Sequence, residues 1–207
     1  MTIKNINKMK KIILSALTLT AVVFGTANLS KAATVNSAAV TTLTDISTIN
    51  KIEVYGNVEL YISDASSDQV KVYNKYYSEN ALVQSKNGTL RISSYSPEKL
   101  VVWVSANDLR SVSAYDNSEV RSFGELSEIE FNVDLHDNAS AKLNLDAYNA
   151  SVTVNDHAKA DLNGTAEQFT LTHNYAASVN NFNFTSAHFT ENKVNFPVDA
   201  KGDMVGI

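Results

Sequence analysis

The sequence predicts an all-β fold, and more specifically a right-handed parallel β-helix of about 19 to 21 residues per coil, with N-terminal strands joined to the stack. The first observation is a repeat, because one apolar position recurs at intervals of 21, 19 and 19 residues. The second is strict alternation of apolar and polar residues, which begins at Ile52 and is typical of half-buried strands. The repeating positions are Val112, Val133, Val152 and Leu171.

Three further columns keep the same interval. A single coil of this length cannot bury its own apolar side, so neighbouring coils are expected to stack, each strand pairing in parallel with the next. An antiparallel sandwich and an irregular barrel remain alternatives, although neither explains a fixed interval. The three columns are Ala114, Leu135, Val154 and His173; Ser118, Ala139, Ala158 and Ala177; and Val120, Ala141, Ala160 and Val179.

Shorter strands precede the repeat. Residues 52–62 alternate around a turn at Gly56-Asn57, and further apolar pairs follow at intervals up to Val104. Asn87-Gly88 separates two such runs and predicts a two-residue hairpin, because both central positions of that turn need positive φ.

The N-terminal region predicts export. Residues 1–32 combine lysines, an apolar run and small residues that suit cleavage, which is the pattern of a secretory signal peptide. A membrane anchor is the alternative, but the apolar run is shorter than the ~20 residues that a spanning helix needs. Residues 33–48 are expected to form a flexible leader, and residues 49–207 a single β-helix domain.

Charge and cysteine content restrict the partners. The chain has a formal net charge of −5 and no cysteine, and loss of residues 1–32 would remove five lysines and no acidic residue. An acidic surface repels nucleic acid. The sequence after residue 32 contains no second apolar run long enough to span a membrane, so no membrane insertion is expected after cleavage. A glycan or a cell-surface protein is the expected partner, in the periplasm, at the cell surface or outside the cell; the oligomeric state is not predicted.

Stacking would place three carboxylates in one column. With rungs ~4.8 Å apart, Asp116, Asp137 and Asp156 could hold a calcium ion or act as paired carboxylates in glycoside hydrolysis. An enzyme of this kind would need the three aspartates to converge in a groove, with a basic residue such as Lys159 or Arg121 nearby. The alternative is that Asp is chosen for turn geometry alone. No other cofactor is expected.

Aromatic and histidine side chains at the same corners are candidate binding residues. They are Tyr115, His136, His157 and Tyr175. Exposed rings of this kind can stack on sugars or anchor a protein partner. A column of Arg121, Lys142 and Asp161 is expected to face outward as a mixed-charge strip.

The strand-and-turn pattern resembles a known bacterial family. The residues that carry the resemblance are Ile52-x-Val54-x-Gly56-x-Val58-x-Leu60-x-Ile62, Val70-x-Val72, Asn87-Gly88-Thr89-Leu90-x-Ile92, and Leu100-x-Val102 through Leu109-x-x-Val112. The family is described as "putative auto-transporter adhesin, head GIN domain". The resemblance implies an exported, β-helix-like protein with no established activity. One departure is Asp116-Asn117, where such domains often have glycines.

The leading functional hypothesis is therefore a secreted or cell-envelope β-helical module with an adhesin-like binding or structural role. The alternative is a carbohydrate-active enzyme, a polysaccharide lyase or glycoside hydrolase, that uses the Asp column.

Overall fold

The chain folds almost entirely into β-strands. A computed structural model describes residues 40–43, 46, 48–73 and 81–194, and these contain no helix. The described strands join into one 13-stranded sheet that curls as an open half-barrel. The predicted signal peptide, residues 1–32, and the last residues of the predicted domain, 195–207, lie outside the described residues. The strands are β1 Val40–Leu43, β2 Lys51–Gly56, β3 Val58–Asp64, β4 Gln69–Tyr73, β5 Ala81–Lys86, β6 Thr89–Ser94, β7 Leu100–Ala106, β8 Ser111–Ala114, β9 Glu119–Ser122, β10 Leu126–Leu135, β11 Ser140–Val154, β12 Lys159–His173 and β13 Ser178–Lys193.

The predicted repeat is present, and its strands pair in parallel. Val112 lies beside Val133, Val133 beside Val152, and Val152 beside Leu171. The pairing continues from β12 to β13, with a register shift between Asp161 and Asn163. The repeating apolar positions are therefore vertical neighbours in the sheet, as the fixed interval predicts.

Each coil consists of two stretches of strand, which we call its first arm and its second arm, joined by a corner. In one coil the first arm ends at Leu135, residues 136–139 form the corner, and the second arm begins at Ser140. Ala139 and Ala158, the small residues at two successive corners, are fully buried. The amide of Lys159 donates to the Ala139 carbonyl at 2.9 Å, which holds the two corners directly over each other. A larger side chain at these positions would have to displace main chain packed across the corner.

The first coils do not stack in sequence order. Strand β2 pairs with β6 on one side and β8 on the other, while β3 pairs with β7 and β9. The coil of residues 51–64 therefore lies between the coils of residues 89–106 and 111–122. The N-terminal strands are joined to the stack as predicted, but as an inserted rung, which the spacing of their apolar residues does not reveal.

Antiparallel strands close one end of the stack. Strand β5 pairs with β6 through the predicted hairpin, in which Asn87 and Gly88 have φ values of 51° and 79°. Strand β4 pairs with β7, and β1 pairs with β4. Val40–Leu43, which form β1, fall in the segment 33–48 that is expected to be a flexible leader, and their main chain pairs antiparallel with β4. The described residues offer no helix that could cross a membrane.

Candidate functional site

The three aspartates of the predicted column lie at successive corners and bind main chain. Asp116, Asp137 and Asp156 all have positive φ, between 54° and 59°, which Asp tolerates better than most residues. The Asp137 carboxylate accepts the amide of Asp116 at 3.0 Å, and the Asp156 carboxylate accepts the amide of Asp137 at 3.0 Å. The Asp116 carboxylate does the same for the amide of Gly56 at 2.9 Å.

This arrangement gives the column a structural role. Each carboxylate accepts a hydrogen bond from a main-chain amide that has no partner in the strand ladder, because the main chain turns at that point. The side chain of one rung therefore stabilises the turn of the neighbouring rung. The described residues contain no group of three or more His, Cys, Asp or Glu side chains placed to hold a metal ion. Calcium binding by this column stays a prediction from the sequence.

Ring side chains form a second ladder beside the corners. The rings of Tyr55 and Tyr115 are parallel with centroids 4.7 Å apart, and those of Tyr115 and His136 are 4.8 Å apart. His136 also contacts Asp134 at 3.0 Å. Two of the four candidate binding residues, Tyr115 and His136, are thus stacked against their neighbours: Tyr115 has a ring against both of its faces, and His136 has one against one face.

The other two candidates are exposed at the corners. His157 is exposed, and Tyr175 is 75% exposed. Tyr175 lies in the same corner position as the aspartates of the preceding rungs, as the repeat predicts. Neither side chain lines one of the concave surfaces described below.

The outward column of mixed charge is also present. Arg121 contacts Glu59 at 3.3 Å and Glu119 at 3.1 Å, and Lys142 contacts Asp161 at 3.5 Å. All of these groups except Glu59 line a shallow depression of about 360 Å³, together with Lys159. Because positive and negative groups neutralise one another, the strip offers no field of one sign to a charged ligand.

A larger groove, which we call the bend groove, runs across four rungs where each second arm bends into the next coil. It has a volume of about 770 Å³. Three consecutive residues of each rung line it, so the same structural position recurs four times along its length. The lining segments are residues 127–129, 146–148, 165–167 and 185–187.

The floor of the bend groove is made of small side chains. Ala147 and Ala166 are register partners and are each only 7% exposed, and Ser186 follows them on the next rung. Because these side chains are short, the main chain can dip inward and leave a channel between the flanking residues. The groove therefore depends on small residues at one repeat position.

Polar side chains line one wall, and larger side chains the other. Ser127, Asp146, Thr165 and Thr185 are successive register partners, so a hydroxyl or carboxylate recurs about every 4.8 Å. The Thr165 hydroxyl donates to the Asp146 carboxylate at 3.1 Å. The opposite wall holds Ile129, which is 79% exposed, and Tyr148, which is 55% exposed, followed by Glu167.

Glu128 replaces the small floor residue at the first rung of the groove. Its carboxylate accepts the amide of Leu109 at 3.1 Å. Burial, reinforced by the nearby charge of Asp64, raises the pKa of Glu128 to about 7. Asp64 in turn accepts the amide of Ser127 at 2.6 Å, which fixes its position near this end of the groove.

The bend groove was not predicted from the sequence. In β11, Ala147 and Ala150 are both buried, although they are three residues apart, so the strict alternation breaks between them. That break marks the bend. The available signal was the break itself, together with alanine at the same repeat position in two successive rungs.

An aromatic cluster on the outer face of the second arms was also not predicted from the sequence. Trp103 lies between buried Val102 and Val104, so alternation places it outside. Its ring stacks on Tyr61 with centroids 4.7 Å apart and contacts Phe123, which is 62% exposed.

The aspartate ladder makes a prediction about stability. Replacing Asp137 by Ala removes the acceptor for the Asp116 amide. It also places Ala at positive φ, a conformation that Ala tolerates less well than Asp. We expect the free energy of unfolding in urea to fall by about 1 to 2 kcal/mol. Asp137→Asn keeps an acceptor and tolerates positive φ, so it should remain close to the parent protein. Equal losses in both variants would show that the amide contact does not stabilise the corner.

The raised pKa of Glu128 makes a prediction about pH. Between pH 4.5, its ordinary pKa, and about 7, the unfolded chain releases this proton while the folded chain retains it, so folding becomes less favourable as pH rises. Glu128→Gln cannot titrate and should be more stable than the parent at pH 8, by about 1 to 2 kcal/mol after allowance for solvent screening.

At pH 4 the advantage of Glu128→Gln should disappear, because the parent carboxyl is then neutral in both states. Urea unfolding of both proteins at the two pH values isolates this group from every other titration. A difference that does not change with pH would contradict the raised pKa.

Comparison with solved structures shows that the fold recurs in bacterial proteins whose names refer to adhesion or lipid binding. A "putative adhesin" from Bacteroides fragilis shares 15% identity, with coverage of 76% of this chain and 77% of that chain and a TM-score of 0.64. A "putative lipid binding protein" from Parabacteroides distasonis shares 9% identity, with coverage of 75% and 78% and a TM-score of 0.60. A "putative adhesin" from Parabacteroides merdae shares 14% identity, with coverage of 75% and 77% and a TM-score of 0.55. At these identities the likeness concerns the fold.

No curated protein matches the sequence. The family described as "Putative auto-transporter adhesin, head GIN domain" matches residues 48–195, which is most of the chain. The chain therefore belongs to the head GIN domain family, as its strand and turn pattern predicts.

Proposed function

We propose that this protein is an exported, adhesin-like binding module that holds an extended glycan chain in the bend groove. The observation that carries the proposal is the recurrence of the groove lining on four successive rungs. A polymer also repeats along its length, so a surface with a repeated set of contacts matches it better than a single pocket does.

The chemistry of the walls suits sugars. Hydroxyl and carboxylate groups at Ser127, Asp146, Thr165 and Thr185 can exchange hydrogen bonds with sugar hydroxyls. Tyr148, half exposed on the opposite wall, offers an aromatic face against which a sugar ring can pack. The groove has the volume of an ordinary small-ligand site but is open at its surface, which suits a chain that continues past it.

The charge of the groove favours a neutral glycan. Glu128, Asp146 and Glu167 are among the lining residues, and no Lys or Arg is. The whole chain is also acidic, with a formal net charge of −5. An anionic polysaccharide would meet repulsion in the groove, and the mixed-charge strip of Arg121, Lys142 and Asp161 lies elsewhere.

Family membership supports the location. The family description and the names of the neighbouring structures refer to adhesins, which act on surfaces outside the cytoplasm. The signal peptide predicted at residues 1–32 agrees with export to the periplasm, the cell surface or the medium. The partner would then be a glycan or a glycan-bearing protein of a cell surface.

We also propose that the stacked coils are turns of a right-handed parallel β-helix. The support is the parallel pairing of residues 19 or 21 apart in β8, β10, β11 and β12. The enzyme alternative finds no comparable support, because the carboxylates of Asp116, Asp137 and Asp156 are engaged with main-chain amides.

The proposal predicts that binding depends on the groove and not on the corners. Tyr148→Ala removes the aromatic wall and should weaken binding to the best neutral oligosaccharide of a glycan array by tenfold or more, as measured by calorimetry. Tyr175→Ala removes an exposed tyrosine from the corner column and should leave the affinity unchanged. Both tyrosines are more than half exposed, so neither variant should unfold the protein.

A loss of affinity in Tyr175→Ala with none in Tyr148→Ala would place the site at the corners instead. Absence of binding across neutral and acidic arrays would dispose of the glycan proposal itself. Binding restricted to acidic glycans would contradict the charge argument.

A further inference from the structure

Strand β13 forms an open edge at one end of the stack. Among the described strands only β12 pairs with it, so one row of its main-chain N–H and C=O groups has no strand partner. The opposite end of the stack is different. There the edges are β1, which has four residues, and β5, which ends in Lys86. Short strands and lysines are common means of keeping an edge from pairing with another chain.

The two halves of β13 differ in charge. Residues 188–193 include Glu191 and Lys193, and Glu191 takes the position that buried Leu171 occupies in the preceding rung. Charges at inward positions discourage further strand addition. Residues 178–187 contain no charged residue, and three of these ten are asparagines and two are phenylalanines, all in the run Asn180-Asn181-Phe182-Asn183-Phe184. This half lacks the protection that the other half has.

An extra residue in the uncharged half presents an aromatic ring to solvent. Asp161 pairs with Asn180 and Asn163 pairs with Asn183, so β13 has one residue more than β12 between these pairs. Phe182 lies in this bulge and is 90% exposed. A bulge re-aims a side chain without ending the strand, and here it leaves the Phe182 ring in water, where its apolar surface gains little from burial within the monomer.

Apolar side chains lie close to the same edge. Phe184 and Val179 are partly buried and pack against the core. Phe169, buried in β12, contacts the rings of both Phe184 and Phe189, at 4.6 and 5.2 Å between centroids. The last rung therefore covers the end of the core only in part, since Phe189 is still 48% exposed.

We propose that the edge of residues 178–187 is a self-association surface, which pairs antiparallel with the same edge of a second copy of this chain. The amide of Phe182 donates to Asn180 Oδ1 at 3.3 Å within the bulge. The N–H and C=O groups on the rest of the open edge have no described strand partner, and they suit an extended strand as the occupant. The absence of charge allows identical edges to meet, whereas two acidic chains would repel one another over most other surfaces. Asn180 is already engaged with Asp161 and with the Phe182 amide, so Asn181 and Asn183 are the side chains that can form amide contacts across the pair. The two Phe182 rings supply the apolar contact. This inference is independent of the glycan proposal.

The test measures the mass of the purified protein, expressed from the full-length sequence, by sedimentation equilibrium over a hundredfold range of concentration. The expected result is a reversible equilibrium between monomer and dimer, since pairing of identical edges closes at two copies. Phe182→Asp should raise the dimer dissociation constant by tenfold or more. Tyr95→Asp is the matched control, because Tyr95 is an aromatic residue that is 74% exposed but lies beyond β6, away from β13, and it should leave the constant unchanged.

Three outcomes would overturn the proposal. They are a monomer at every concentration, a dimer that Phe182→Asp does not weaken, and a dimer that both variants weaken equally. Growth beyond dimers would contradict the closed pairing. Because Phe182 is so exposed, its replacement should not alter the thermal midpoint at low concentration, and an unchanged midpoint shows that lost association is not lost folding.

Discussion

The rest of the structure depends on parallel, in-register stacking of coils. Stacking makes a vertical neighbour of every residue 19 or 21 positions away, so a property that suits one corner or bend is repeated at the next. Apolar residues at Val112, Val133 and Val152 then form a continuous core from segments that could not bury it alone. The same repetition produces the aspartate ladder, the ring ladder and the walls of the bend groove.

The two sides of each coil differ: the corners stabilise the fold, and the bends form the candidate site. At the corners, carboxylates bind amides and the Tyr115 and His136 rings cover each other, so most polar and aromatic groups are already engaged. At the bend, Ala147 and Ala166 leave space, and the groups around them face a channel. The charged and aromatic residues that stand out in the sequence therefore stabilise the fold, while small residues such as Ala147 and Ala166 shape the candidate site.

This division explains what could be predicted from the sequence. The period and the alternation of Val and Leu report directly on burial, so strands, corners, parallel pairing and the Asn87-Gly88 hairpin were accessible. The insertion of the coil of residues 51–64 between later coils was not, because local periodicity contains no information about which coils meet. The groove was missed because it arises from small side chains at Ala147 and Ala166, and an alanine in a strand has no chemical signature of its own.

The central claim is most directly tested by nuclear Overhauser contacts between alanine methyl groups in a selectively labelled sample. Parallel stacking predicts cross-peaks between residues of constant difference, and two such pairs are Ala141 with Ala160 and Ala147 with Ala166. Antiparallel pairing would instead connect residues of constant sum. Cross-peaks for both pairs would establish the stacking, whereas their absence from a spectrum that shows constant-sum contacts in β11 and β12 would contradict the account.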